Sequence, residues 1–264
     1  MTLYADLFRY PDLFLNLFRR ELRVKYKGSL LGLAWTLVNP LALMGVYTLV
    51  FSILLKAVSV HHFPLFVMSG LLTWIFFQAT IQAAPSTLLG HADLVKQVRF
   101  PRQLLPLSLV ATNLVTFFAM LAVLLPVNLI LIPATRTTFW VVIPLVLPLV
   151  GLVSGIAIMV ACANVLFRDI EHLITTVLLP WFIATPIFYR FETLPGLQRH
   201  AWLVDALHYG NFISPILVAI RDPLFFGHLP RWQDVVYSCC AAVAALALGA
   251  FVFHRVDDQL AAEL

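Results

Sequence analysis

Five basic side chains and one carboxylate share nine positions, Arg19, Arg20, Glu21, Arg23, Lys25 and Lys27, and from Gly28 to Leu55 the chain then has no Asp, Glu, Lys or Arg. Such a cluster can meet phosphate oxygens or anchor a chain at a headgroup layer. Two other groupings invite a chemical reading. His200 and Asp205 form H-x-x-x-x-D, a spacing found in some lipid acyltransferases, but a two-residue match carries little specificity. His61 and His62 are adjacent with no nearby carboxylate, which favours solvated loop histidines over a metal site.

The remaining chemistry is mostly negative. The only lysines are Lys25, Lys27, Lys56 and Lys96, none follows a glycine, and so no phosphate-cradling G-x-x-x-x-G-K-[ST] loop exists. If ATP drives this protein, another subunit hydrolyses it. The three cysteines, Cys162, Cys239 and Cys240, lie in apolar stretches and read as small hydrophobes instead of a disulfide or metal framework. The net charge of +4 sits at the edges of apolar runs, a topology signal that argues against a nucleic-acid partner.

The elements that hold these groups are set by composition. Of 264 residues, 61% are hydrophobic and 11% charged, against about 25% charged in ordinary soluble domains. Lipid is the solvent that explains the excess. Spans need about 20 apolar residues, and six candidates emerge at roughly 33–55, 63–90, 104–132, 138–165, 173–189 and 234–254. Their cores lack the ionisable residues of an ion or proton relay. The fifth holds Pro180 and Pro186 and should be kinked. No removable leader is evident, so the first span should direct insertion. Eleven Lys and Arg fall on the side of the termini and six on the other, which puts both termini in the cytoplasm.

Before the first span, Asp12, Asn16, Arg19, Arg20, Arg23 and Lys27 share one helical arc, and Leu13, Phe14, Leu17, Phe18, Leu22 and Val24 cover the other side. Pro11 is suited to start this helix, which should lie in the headgroup plane. Glu21, on the apolar side, calls for either an i,i+4 pair with Lys25 or a protein contact. The segment 91–101 is a second short amphipathic helix, stopped by Pro101, that could dock in a groove of a soluble partner or lie as a surface turn. Residues 201–220 are too apolar for a plain loop and too interrupted by Gly210 and Pro215 to span. Two short helices, about 199–208 and 212–222, dipping into the membrane would fit, and such backbone belongs in protein or beside a cavity. Two G-x-x-x-G spacings, Gly28 to Gly32 and Gly151 to Gly155, allow close packing within the subunit or across a dimer. Aromatics crowd the external half, where belt residues and channel-lining residues look alike in sequence.

Five ordered blocks, "RRELRVKYKGSLLGLAWTLVNPL" (19–41), "DLVKQVRFPRQLLPLS" (93–108), "NVLFRDIEHL" (164–173), "TPIFY" (185–189) and "SPILVAIRDPLFFG" (214–227), resemble the type-2 ABC permeases that export lipid-linked polysaccharides, the O-antigen and teichoic-acid exporters most closely. Arg190 stands where that family often has proline, and Ser214-Pro215 where it has Asn-Pro, so the shape of the external side is the part the resemblance constrains least.

The resemblance implies an all-α integral membrane protein of the cytoplasmic (inner) membrane. It implies a cytoplasmic amphipathic interface helix (1–28) and a transmembrane domain (29–264) of six spans, with two re-entrant helices in 196–222 between the fifth and sixth. It implies a homodimer, each copy paired with an ATP-binding cassette subunit that holds ATP and Mg, with no cofactor on this chain. Asp93, Leu94, Lys96, Arg99, Phe100 and Arg102 would couple to that ATPase. Arg19, Arg20, Arg23, Lys25 and Lys27 would receive the lipid and pyrophosphate end of the glycan substrate. Phe188, Tyr189, Trp202, Tyr209, Phe212 and Arg221 would form the channel or its external lid. The function so implied is ATP-driven export of lipid-linked polysaccharide, O-antigen on undecaprenyl pyrophosphate foremost. Teichoic acid, capsule, a drug or a simple lipid would use the same architecture, and a membrane acyltransferase is the reading from another class.

Overall fold

The computed structural model describes residues 9–27, 35–50, 61–91, 100–191 and 201–263, and among these the chain is helical, with no strand. Helix α1 runs Pro11–Tyr26, α2 Trp35–Tyr47, α3 Phe63–Leu89 and α4 Leu104–Leu131. After two short 3-10 turns come α5, Val142–Leu166, and α6, Ile170–Ala184. Then follow α7, Ala201–Gly210, α8, Ser214–Arg221, and α9, Trp232–Glu263.

Four described helices are long and apolar enough to cross a bilayer: α3, α4, the continuous stretch Phe139–Leu166 that contains α5, and Trp232–Val256 of α9. A fifth is added if Trp202–Gly210 and Ser214–Phe226, bent by 96° across their break, count as one broken span. Two of the six expected spans appear as shorter apolar helices, Leu37–Val50 and Ile170–Ala184. The Gly28–Gly32 spacing lies outside the described residues.

Helix ends follow backbone chemistry. Pro11 opens α1, where its missing N–H is an orphan donor anyway. Helix α6 stops at Ala184 because Thr185 precedes Pro186 and takes the extended conformation that a following proline favours.

The core is organised around α3, which packs on α2, α4, α5, α6 and α8. Trp74, Phe66, Phe76 and Phe77 of α3 are fully buried there with Phe117 of α4. A second apolar cluster gathers Leu17 of α1, Leu88 of α3, Leu104 and Leu105 of α4, Ile158 and Cys162 of α5 and Phe253 of α9. This cluster holds the apolar side of α1 against protein. By contrast, the outer sides of α4, α5 and α9 show bare apolar surface, with Ile130, Ile143 and Val243 exposed, as lipid-facing helices require.

Helix α5 meets α9 backbone to backbone. A Cβ on Gly155 would stand 2.2 Å from the Ala245 carbonyl carbon, and one on Gly249 would stand 2.7 Å from the Gly155 carbonyl oxygen. The Gly151–Gly155 spacing therefore serves packing within the subunit. Interior amides hold other seams. Asn128 Nδ2 donates to the Leu224 carbonyl at 2.7 Å and Asn164 Nδ2 to the Pro85 carbonyl at 3.0 Å.

Candidate functional site

Three regions collect the residues singled out by sequence. The first is α1. Arg19, Arg20, Arg23 and Lys27 are exposed and, with Asn16 and Tyr26, border an open groove of about 860 Å³. The basic arc read from sequence is thus solvent-facing, but Val24, expected on the covered apolar side, is 66% exposed and borders the same groove with Leu22. Lys25 turns the other way. Its stem is exposed, but its ammonium reaches inward and donates to Asn113 Oδ1 at 2.8 Å and Thr116 Oγ1 at 2.9 Å on α4. Asn113 Nδ2 in turn donates to Thr80 Oγ1 on α3 at 3.2 Å. Burial lowers the Lys25 pKa from the ordinary lysine value. Lys25 is therefore a docking residue of α1, separate from the four exposed cations. Glu21 meets protein, and its partner is His91 at 3.3 Å instead of Lys25.

The second region lies at the root of the proposed coupling segment. Asp93, Leu94, Lys96 and Arg99 lie outside the described residues. Phe100 packs against the second apolar cluster, and Arg102 is half-buried one residue before the buried Gln103.

The third region is a wall formed by α2, α3 and α6 with the turn after α6. Leu43 and Tyr47, Trp74, Gln78 and Gln82, and Thr175, Leu178 and Phe182 line a cavity of about 250 Å³. Trp74 donates its indole N–H to Gln78 Oε1 at 2.7 Å. The Tyr47 ring lies 5.1 Å from Phe188 and 5.9 Å from Phe182, and the Trp74 ring 5.5 Å from Phe182. Trp181, 5.2 Å from Phe77, also sits edge-on to Phe212 at 4.8 Å. Helix α6 leaves His172, Thr175 and Thr176 exposed, and Gln82 of α3 is exposed beside it. The Thr175 hydroxyl donates within the helix to the Glu171 and His172 carbonyls and that of Thr176 to the His172 carbonyl, while the exposed Gln82 amide suits water or a polar ligand over that face.

The bent pair above this wall is fastened by polar bonds on several sides. Asn211, in the break, accepts from the Trp181 indole at 2.8 Å and donates to Thr185 Oγ1 at 2.9 Å. Arg221, only 2% exposed, donates from Nη1 to the Pro186 carbonyl at 2.6 Å and covers the Phe66 ring at 4.5 Å. His208 on α7 meets the buried Asp234 of α9 at 2.8 Å, and the Tyr237 hydroxyl donates to the Tyr209 carbonyl. Gly70 lets the turn sit directly on α3, for a Cβ there would stand 3.0 Å from the Ile187 carbonyl oxygen. Tyr189 donates to the Ile183 carbonyl at 2.9 Å. Trp202 is 68% exposed and stands apart from this cluster.

Of the predicted channel and lid residues, Phe188 and Phe212 come together through the aromatic cluster. Arg221 acts as a clamp between the bent pair and the Pro186 turn. Sequence reasoning missed Asn113, Thr116, Asn211 and the glutamines. Their signal was present, because an amide inside an apolar run is costly unless bonded or wet. No group of three or more His, Cys, Asp or Glu suited to a metal occurs among the described residues. His200 lies outside the described residues, and Asp205 is exposed on α7.

Comparison with known proteins shows the family. The family profile described as "ABC-2 type transporter" matches residues 12–225. The O-antigen export system permease protein RfbA of Myxococcus xanthus is 37% identical over 264 residues, covering 99% of this chain and 98% of the relative. A protein of the same name from Klebsiella pneumoniae is 25% identical over 252 residues, 95% and 94% of the two chains. Helices built for a bilayer and similarity along nearly the whole length converge, and the chain belongs to the ABC-2 type transporter family as a multi-pass permease subunit.

Proposed function

We propose that this permease exports a lipid-linked polysaccharide, O-antigen carried on undecaprenyl pyrophosphate, across the cytoplasmic membrane. The observation that carries the reading is the end-to-end similarity to a permease named for O-antigen export. The wall supports it chemically. Aromatic faces at Tyr47 and Phe182 suit sugar rings, and Gln78, Gln82 and Thr175 offer hydrogen bonds along the same cavity.

In this reading α2 and α6 complete six spans, Ala201–Arg221 is a re-entrant lid, and both termini are cytoplasmic. A second copy faces α2 and α6, so that two walls enclose one path. Among the described side chains only Pro40 of α2 and Leu178 of α6 are buried, which leaves most of that surface for a partner. Residues 91–102 receive the stroke of a separate ATP-binding subunit, on which ATP and Mg reside, and this chain carries no cofactor of its own. Arg19, Arg20, Arg23 and Lys27 meet the pyrophosphate at the cytoplasmic leaflet, where paired guanidinium contacts suit it. ATP-driven closure moves the 91–102 segment and α1, and the α2 and α6 walls part to admit the glycan.

The test uses inverted vesicles holding the permease and its ATPase with lipid-linked glycan. ATP should render the glycan resistant to an added glycosidase, and charge reversal at Asp93, Arg99 and Arg102 together should abolish that protection. Transport of a simple lipid with no glycan protection would overturn the proposal.

A further inference from the structure

His91 follows the C-terminal Gly90 of α3 and is the first residue of the segment assigned to ATPase coupling. Its two ring nitrogens face two acceptors. Nδ1 lies 2.9 Å from the Thr87 carbonyl oxygen, which can only accept, so that nitrogen carries a proton. Nε2 lies 3.3 Å from Glu21 Oε1 on α1. Where Nε2 also carries a proton, the ring is an imidazolium that donates to the ionised Glu21.

The carboxylate is held in that form. Glu21 is lowered from its ordinary value of 4.5, chiefly by its bond to His91, with the charges of His91 and Arg20 adding to the effect against an opposing burial. His91 is raised from 6.5, chiefly by Glu21, while burial and Arg20 oppose. Among the described residues, Glu21 and Arg20 of α1 and the Thr87 carbonyl of α3 are the groups that face this ring.

The geometry points to a protonation-dependent joint, Glu21–His91, that ties the interface helix to the root of the coupling segment and passes the ATPase stroke to α1. Both residues are positioning residues. The inference rests on the coupling role proposed above. At its inner end α1 is pinned to α4 by Lys25, Asn113 and Thr116. Glu21 lies one helical turn before Lys25, so both ties act on the C-terminal part of α1, and opening the His91 contact leaves that part held to α4 through Lys25.

The sign follows from the two partners. The Glu21 contribution is complete above 4.5 and fades as pH falls through its lowered value. The His91 contribution is complete below 6.5 and fades as pH rises through its raised value. The joint is therefore whole between 4.5 and 6.5 and weakens toward alkaline pH.

The test measures glycan transported per ATP hydrolysed, from pH 6 to 9, in vesicles holding the permease with its ATPase. The wild-type ratio should fall several-fold across this range. Glu21→Gln should lower it at pH 6 and flatten the profile. His91→Lys keeps a cation facing Glu21 without titrating in this range, so its ratio should stay high to pH 9. A His91→Lys profile that declines like wild type, or a Glu21→Gln profile identical to wild type, would overturn the joint. Charge reversal at Asp93, Arg99 and Arg102 separates the failures. If it uncouples transport while Glu21→Gln does not, the joint falls alone; if neither uncouples, the coupling role falls and takes the joint with it.

Discussion

The α5–α9 pair and the α2–α6 wall come from similarly apolar sequence, yet they are built in opposite ways. In the pair, Gly155 and Gly249 let two backbones touch, so nothing larger than hydrogen fits between them. In the wall, few side chains are buried, and the contacts are rings 5–6 Å apart, such as Tyr47 with Phe188 and Phe182. Leu147 on α5 is 74% exposed and apolar, whereas α6 exposes His172, Thr175 and Thr176 among the apolar Leu173, Val177, Leu179 and Ile183. A backbone seam has one arrangement, while rings that meet across separate helices can part without breaking a backbone fit. In the proposed function one half of the molecule is scaffold and the other is the surface the glycan meets.

The contrast breaks most sharply at Gly155. Gly155→Leu should cost at least about 3 kcal/mol, the upper range for overpacking, because carbonyl atoms of Ala245 occupy the new side chain's space. Thermal unfolding of the purified protein, or loss of a monodisperse chromatographic peak, reads this out. Next comes Tyr47→Ala on the wall. It should lower glycan translocation at least tenfold while shifting the unfolding midpoint by only a few degrees, since Tyr47 is half-buried. An equal loss of fold and transport would erase the distinction between scaffold and wall.

Lys25→Met should destabilise by about 1–2 kcal/mol, the lower part of the range for bonds to a charged group because Lys25 is partly solvated, since it leaves Asn113 Oδ1 without its donor while Thr116 keeps the Tyr26 hydroxyl beside it. Urea unfolding would show it. The smallest effect belongs to Arg23→Gln. Exposed and solvated, it should change stability by less than about 0.5 kcal/mol, while affinity for vesicles carrying anionic pyrophosphate lipid should fall severalfold in a sedimentation assay.

Much of the scaffold was legible in the sequence because bilayer thickness and helical periodicity are local constraints. The runs 63–90 and 104–132 are α3 and α4 almost residue for residue, and the bent pair sits where Gly210 and Pro215 interrupt an apolar stretch. The wall was much less legible. Sequence left Phe188, Phe212 and Trp202 in one crowd of external aromatics, and only the fold separates the first two, packed in the cluster, from Trp202, left outside it. Glu21 and His91 are 70 residues apart and Lys25 and Asn113 are 88 apart, so no periodicity could pair them. Likewise, a glycine spacing announces close approach without naming the neighbour, and α9 supplied it.

The central claim, that the α2–α6 wall lines the glycan path, is tested most directly by thiol labelling in a variant lacking Cys162, Cys239 and Cys240. Single cysteines at Gln82, Thr175 and Leu147 would be treated with a charged, membrane-impermeant reagent. The account predicts that Gln82→Cys and Thr175→Cys react and are protected when lipid-linked glycan and ATP are supplied with the ATPase, while Leu147→Cys stays unreactive throughout. Equal inertness at all three positions, or labelling at Gln82 and Thr175 that translocating glycan never slows, would contradict it.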